Sequence, residues 1–251
     1  VGSLKFVRKN LKKWMKGEKR SAPVPMNLFG ARARIQYQPK GVIGIMTPWN
    51  VPVNMIFSPL ADAIGAGNRV MIKPSEFTPK TSELMQKLFR DYFDDSEIAI
   101  VTGGAEVGAA FSSLKFDHLI FTGATSIGKL VMKAAAENLT PVTLELGGKS
   151  PVIVSDSGNI EEYAEKIIAG KGMNSGQLCI SPDYCFVPAS RLEAFITACK
   201  ATINALYPTI MDNPDFVAVI NERHYDRVKG YIDEAKEKGV RVEALNPAGE
   251  D

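Results

Sequence analysis

From Gly41 onward the chain alternates short apolar runs with segments of helical period, and few architectures accept that order. "GVIGIMTP" and "RVMIKP" read as short strands buried on both faces, and "EIAIVTG" and "DHLIFTG" continue the series. Between them, "PLADAIGAGN" reads as a helix closed by glycine. "PKTSELMQKLFRDYF", "VGAAFSSL" and "SIGKLVMKAAAENL" read as further helices. "TPVTLELGG" and "SPVIVS" are two more strands, "IEEYAEKIIAGKGM" is a helix, and "CFVPASRLEAFITACKATINAL" repeats strand then helix. Apolar strands separated by helices belong to a parallel sheet covered on both faces, so the fold class is α/β. No internal repeat and no low-complexity tract interrupts the pattern.

The segment before it is different. "LKFVRKNLKKWMKGEKR" places Leu4, Val7, Leu11, Trp14 and Met15 at helical spacing with Lys and Arg between them. A nucleic-acid patch would look like this, but so does the solvated face of an amphipathic helix, which is the commoner case. The formal net charge of +2 favours neither, and no nucleic-acid partner is expected. "APVP" breaks the helix. "ARARIQYQP" alternates like a strand with one wet face, and the stretch near 29–39 is expected to pair with another subunit. No apolar run is long enough for a membrane span, and the start does not read as a signal peptide. Three cysteines without metal-type spacing, and two distant histidines, His118 and His224, argue against a disulfide framework and a metal site. They point to a reducing, cytoplasmic compartment.

Several stretches carry candidate chemistry. "FTGATSIGKL" leads from a buried strand into a helix through Gly123, Ala124 and Gly128. Leu130 stands where a nucleoside-triphosphatase loop needs Ser or Thr for magnesium, and the Gly-x-Gly-x-x-Gly fingerprint is absent. Free backbone N–H groups and the helix dipole there could hold a pyrophosphate; a tight structural turn fits the same residues equally. In "MIKPSE", Lys73 and Glu76 follow a buried strand at the end where α/β sheets bind ligands, and a carboxylate there can accept from ribose hydroxyls.

"LELGG" puts Glu145 in an apolar strand, where burial would raise its pKa toward that of a general base. "TPWN" presents the Asn50 amide on a turn fixed by Pro48 and Trp49, suited to a developing oxyanion. "NSGQLCISPDY" sets Cys179 among turn residues. A lone cysteine is usually structural. Here a candidate thiol, base, oxyanion donor and pyrophosphate loop occur in one α/β chain.

That combination resembles the aldehyde dehydrogenase superfamily. The matching stretches are "PWN", "KPSE", "FTGATSIGK", "LELGGKSP" and "GQLC", in the family's order, over roughly residues 41–187. "RVMIKPSEFTP", "VTGGAEVGAAF" and "ENLTPVTLELGGKSP" look closest to the coniferyl aldehyde dehydrogenase branch. The resemblance implies a Rossmann-like, parallel-sheet NAD-binding domain over 1–147 and part of an α/β catalytic domain over 148–251. It implies Cys179 as nucleophile, Asn50 with the Cys179 backbone N–H as oxyanion hole, and Glu145 as the base that hydrolyses the thioester.

By the same resemblance, Thr47, Trp49, Lys73, Glu76, Gly123, Ala124 and Gly128 form the cofactor site, with Trp49 in the pocket wall. Glu76 should repel a 2'-phosphate and favour NAD, with NADP as the alternative. Many members carry serine at the position of Ala124, so one phosphate hydrogen bond of about 0.5–1.5 kcal/mol is missing. The expected substrate is a small aldehyde, of coniferyl type, and the intact protein is expected to be a homodimer or homotetramer. The family's Glu-x-Phe-Gly-Pro segment is not found after Cys179, and members usually run much longer. The chain is therefore expected to be part of a longer one. The alternative reading is a catalytically incompetent fragment that keeps the fold as a structural or binding module.

Overall fold

A computed structural model describes residues 2–246 and Glu250, in two units, 1–146 and 147–251. The first unit opens with helix α1 (Gly2–Trp14), which buries Val7. The helix stops earlier than its spacing suggests. Gly17 brings the chain against Ile35, where a Cβ would stand 2.9 Å from the Ile35 carbonyl oxygen. Strand β1 (Glu18–Arg20) then pairs antiparallel with β2 (Ala33–Ile35), so "EKR" is strand, not helix.

The main sheet of this unit is wholly parallel. It contains β3 (Val42–Met46), β4 (Arg69–Lys73), β5 (Ile98–Ile100), β6 (His118–Gly123) and β7 (Val142–Leu146), in the order β5-β4-β3-β6-β7. Helix α2 (Pro52–Gly65) starts well before the expected Pro59. Pro52 sets its first turn, where a missing N–H costs nothing. Pro59 sits inside the helix, and complete burial of Ile56 and near-complete burial of Leu60 offset the backbone bond it forfeits. Gly67, at φ 85°, then turns the chain toward β4.

Strand alternation sends side chains to both faces. Ile43, Ile45, Val70, Ile72, Ile98 and Ile100 pack with Ile56 and Leu60 of α2 and with Met85 and Phe89 of α3 (Pro79–Tyr92). Met46, Leu119 and Phe121 pack on the other face with Phe111 of α4 (Ala105–Ser112) and Val131 and Ala135 of α5 (Thr125–Ala136). Each fully buried isoleucine, such as Ile45 or Ile72, contributes about 2 kcal/mol.

The second unit contains β8 (Ser150–Ile153), α6 (Ile160–Gly172), β9 (Pro182–Phe186), α7 (Leu192–Leu206) and α8 (Glu222–Glu237). β8 and β9 pair parallel with α6 between them in sequence. The Asn159 side chain accepts from Glu162 N–H at 2.9 Å and starts α6. The core joins Ala164 and Ile168 of α6 to Ala198 and Cys199 of α7. This two-stranded sheet is not covered on both faces: Ile153 and Phe186 stay exposed.

Candidate active-site residues

The carboxyl ends of β3, β4, β6 and β7 carry most of the predicted residues of the first unit. Thr47 follows β3, and its N–H donates to the Lys73 carbonyl at 3.1 Å. Its hydroxyl is buried and has no hydrogen-bond partner among the described residues. Trp49 and Asn50 lie in the bend between β3 and α2, as the "TPWN" turn implies.

Lys73 ends β4 and is buried, with only 4% of its surface exposed. Its ammonium donates to Glu76 Oε2 at 2.9 Å and to the Pro74 carbonyl at 3.3 Å. Burial alone raises the Glu76 carboxyl. Its own backbone N–H and the Lys73 ammonium outweigh this and hold it below the usual carboxylate range. Gly108 of α4, which the motifs did not single out, lets that helix pack close: a Cβ there would meet Lys73 Cε and Met46 Cε, each at 3.7 Å. The only hint was a small residue one turn into "EVGAAF".

Gly123 ends β6 and Ala124 precedes α5 without a side-chain cap, so the first N–H groups of α5 are left for an anion. Both glycines also have packing reasons. A Cβ on Gly123 would stand 2.6 Å from Phe121 Cζ, and one on Gly128 would stand 2.8 Å from Leu146 Cδ2. These residues fit a dinucleotide. An orphaned buried hydroxyl, an ion pair with a half-exposed carboxylate and an uncapped helix start gather at one end of one sheet.

Glu145 lies opposite Thr122 in the β6–β7 register. The expected burial is not found: Glu145 is exposed. β7 is an edge strand, and its alternation turns Val142, Leu144 and Leu146 to the core while Glu145 faces away. His118, at the opposite end of β6, bonds Thr143 Oγ1 through Nε2 at 2.8 Å, a fold contact.

Cys179 belongs to the second unit, in the turn between α6 and β9, and is an exposed free thiol. Asn174, Ser175 and Gly176 before it take left-handed backbone, with φ of 51°, 52° and 73°. The other two cysteines are poor nucleophiles. Burial pushes the Cys185 thiol up and the Cys199 thiol to about 11. Among the described residues, no group of His, Cys, Asp or Glu is placed to hold a metal ion.

A family model for the aldehyde dehydrogenase family matches residues 1–250. The chain belongs to the aldehyde dehydrogenase family. It is 56% identical to a probable coniferyl aldehyde dehydrogenase of Caulobacter vibrioides, over all of this chain and 52% of that protein. It is 49% identical to a coniferyl aldehyde dehydrogenase of a Pseudomonas species, over all of this chain and 51% of that protein. Among solved aldehyde dehydrogenases, the substrate-bound Staphylococcus aureus AldH superposes with a TM-score of 0.88 at 40% identity, over 94% of this chain and 51% of that one. The Mycobacterium tuberculosis enzyme complexed with NAD+ superposes with a TM-score of 0.87 at 29% identity, over 99% and 51%. The chain thus spans about half the length of the relatives it matches, and the α/β fold is that of the aldehyde dehydrogenases. No helix is long and apolar enough to cross a membrane among the described residues.

Proposed function

We propose that this chain carries the NAD-binding domain, 1–147, and the first part of the catalytic domain, 148–251, of an enzyme that oxidises a coniferyl-type aldehyde to its acid. The observation that carries the reading is the nucleotide-fitting end of the first sheet, in a family chain whose exposed thiol sits at "GQLC". The relatives named for coniferyl aldehyde support the substrate class, and the NAD+ complex of a structural neighbour supports the cofactor.

NAD would be held by Lys73 and Glu76 at the ribose, by the Gly123–Ala124 turn and the α5 start at the pyrophosphate, and by Thr47, Trp49 and Gly128 around them. The chemistry it supplies when bound is acceptance of a hydride. The Cys179 thiolate adds to the aldehyde carbon and forms the C–S bond. The carbonyl oxygen becomes an oxyanion, which the Asn50 amide and the Cys179 N–H stabilise as donors. The hydride that bound NAD would accept comes from that carbon, and an acyl thioester would remain on Sγ. Glu145, exposed to water, removes a proton from the attacking water molecule; the C–S bond breaks, the acid departs and the thiolate is restored. An oligomeric assembly through the 29–39 segment accompanies this reading.

The test is NADH formation from coniferyl aldehyde and NAD by the protein carrying this chain, beside its Cys179→Ser variant. A burst of NADH in the wild type, absent in the variant, is expected. No burst in the wild type at high enzyme concentration overturns the reading and leaves the binding-module alternative.

A further inference from the structure

The turn that carries Cys179 is tied to a distant segment chiefly by one side chain, Gln177. Gln177 Nε2 donates to the Asn174 carbonyl at 3.0 Å within the turn and to the Ala218 carbonyl at 3.1 Å outside it. Gln177 Oε1 accepts from the Ile220 N–H at 3.0 Å. Ser175 Oγ adds a bond to the Val217 carbonyl. Both ends of one amide therefore join the turn to 217–220, and the next residue, Asn221, caps α8 by accepting from His224 N–H at 3.0 Å.

The turn needs such a tether. Asn174, Ser175 and Gly176 are all left-handed; Gly and Asn accept that conformation readily, but Ser175 holds it at a cost that its surroundings must offset. The Gln177 N–H bonds the Asn174 carbonyl at 3.0 Å, and the Ser181 N–H bonds the Leu178 carbonyl at 3.1 Å. These short-range bonds close the turn on itself but do not fix it to the rest of the unit.

We propose that Gln177 is a positioning residue, clamping the Cys179 turn to the 217–220 segment so that the thiol is presented in one orientation. The catalytic consequence rests on the reading of Cys179 as nucleophile; the clamp itself does not. Only an amide fits the role. A carboxylate keeps the acceptor for Ile220 N–H but sets oxygen against the Asn174 and Ala218 carbonyls, and a thioether keeps neither function. A nucleophile misplaced by about 1 Å costs on the order of 100-fold in rate.

The experiment uses Gln177→Glu and Gln177→Met in the protein carrying this chain. Amide hydrogen exchange should speed up by about 10-fold in both 174–180 and 217–220, with α6 and α7 unchanged. With saturating NAD and coniferyl aldehyde, the NADH burst rate should fall by ~10–100-fold while the KM for NAD stays the same. Unchanged exchange in the two segments overturns the clamp. An unchanged burst rate, or one that falls only with the NAD KM, overturns its catalytic role. A wild type without any burst defeats the dehydrogenase reading instead, and the exchange measurement still decides the clamp.

Discussion

The Lys73 ammonium lies 2.9 Å from Glu76 Oε2, with the lysine side chain only 5% exposed and the glutamate side chain 36% exposed. One partner is sealed in the sheet and the other faces water. A buried ammonium without a partner is costly, so Glu76 serves the fold as well as any ribose.

Glu76→Gln keeps a hydrogen-bond acceptor but removes the charge. The variant should lose about 1 kcal/mol of stability, because the exposed half of the pair is screened by solvent. It should also raise the ratio of kcat/KM for NADP over NAD by roughly 10-fold, since the repulsion of a 2'-phosphate disappears. Steady-state kinetics with both cofactors measure this, and an unchanged ratio contradicts the assignment of Glu76 to the ribose.

The pH dependence follows from the same carboxyl. Glu76 is held below its ordinary 4.5 in the folded chain, so its stabilisation is complete above that value and is lost as pH falls through the lower folded value. Urea midpoints of wild type and Glu76→Gln should differ by a constant amount above about pH 5 and converge below about pH 4.5. Convergence already near neutral pH would mean that the pair does not form.

Gly123 and Gly147 should respond oppositely to alanine. At Gly123 a methyl would meet the buried Phe121 ring at 2.6 Å, so Gly123→Ala should cost about 1–3 kcal/mol. At Gly147 nothing lies within 4 Å, so Gly147→Ala should be neutral or stabilise by up to about 1 kcal/mol. Thermal unfolding of the two variants checks the contrast.

The three thiols should label in a definite order. Cys179 is exposed, Cys185 is half-buried with a raised pKa, and Cys199 is buried with its pKa near 11. At about pH 8 only on the order of one Cys199 thiol in 1,000 is ionised, so iodoacetamide should modify Cys179 at least ~10-fold faster. Peptide mass spectrometry after timed alkylation reads the order directly, and early labelling of Cys199 would contradict the packing of α6 on α7.

Local sequence was sufficient wherever one periodicity governed both ends of an element. The buried strands around Ile45 and Ile72, the helix from Pro79 and the place of Lys73 and Glu76 at the carboxyl end of a buried strand were all legible. Pro59 misled, because a proline marks a helix boundary unless burial of its neighbours offsets the lost bond, and that burial is a property of the folded sheet. Glu145 misled for a related reason. Strand residues alternate in any sheet, but whether the outward residue meets protein or solvent depends on the strand's place in the order.

The sequence by itself determined the α/β class and the family, because residue type, short-range spacing and hydrophobic period are local quantities. Tertiary structure alone decided that Gly123 must clear the Phe121 ring, that the Thr47 hydroxyl is buried without a partner among the described residues, that β7 is an edge and that Gln177 ties the Cys179 turn to residues some forty positions away. Clearance, desolvation and long-range hydrogen bonds depend on which distant segments become neighbours, and no local pattern encodes that.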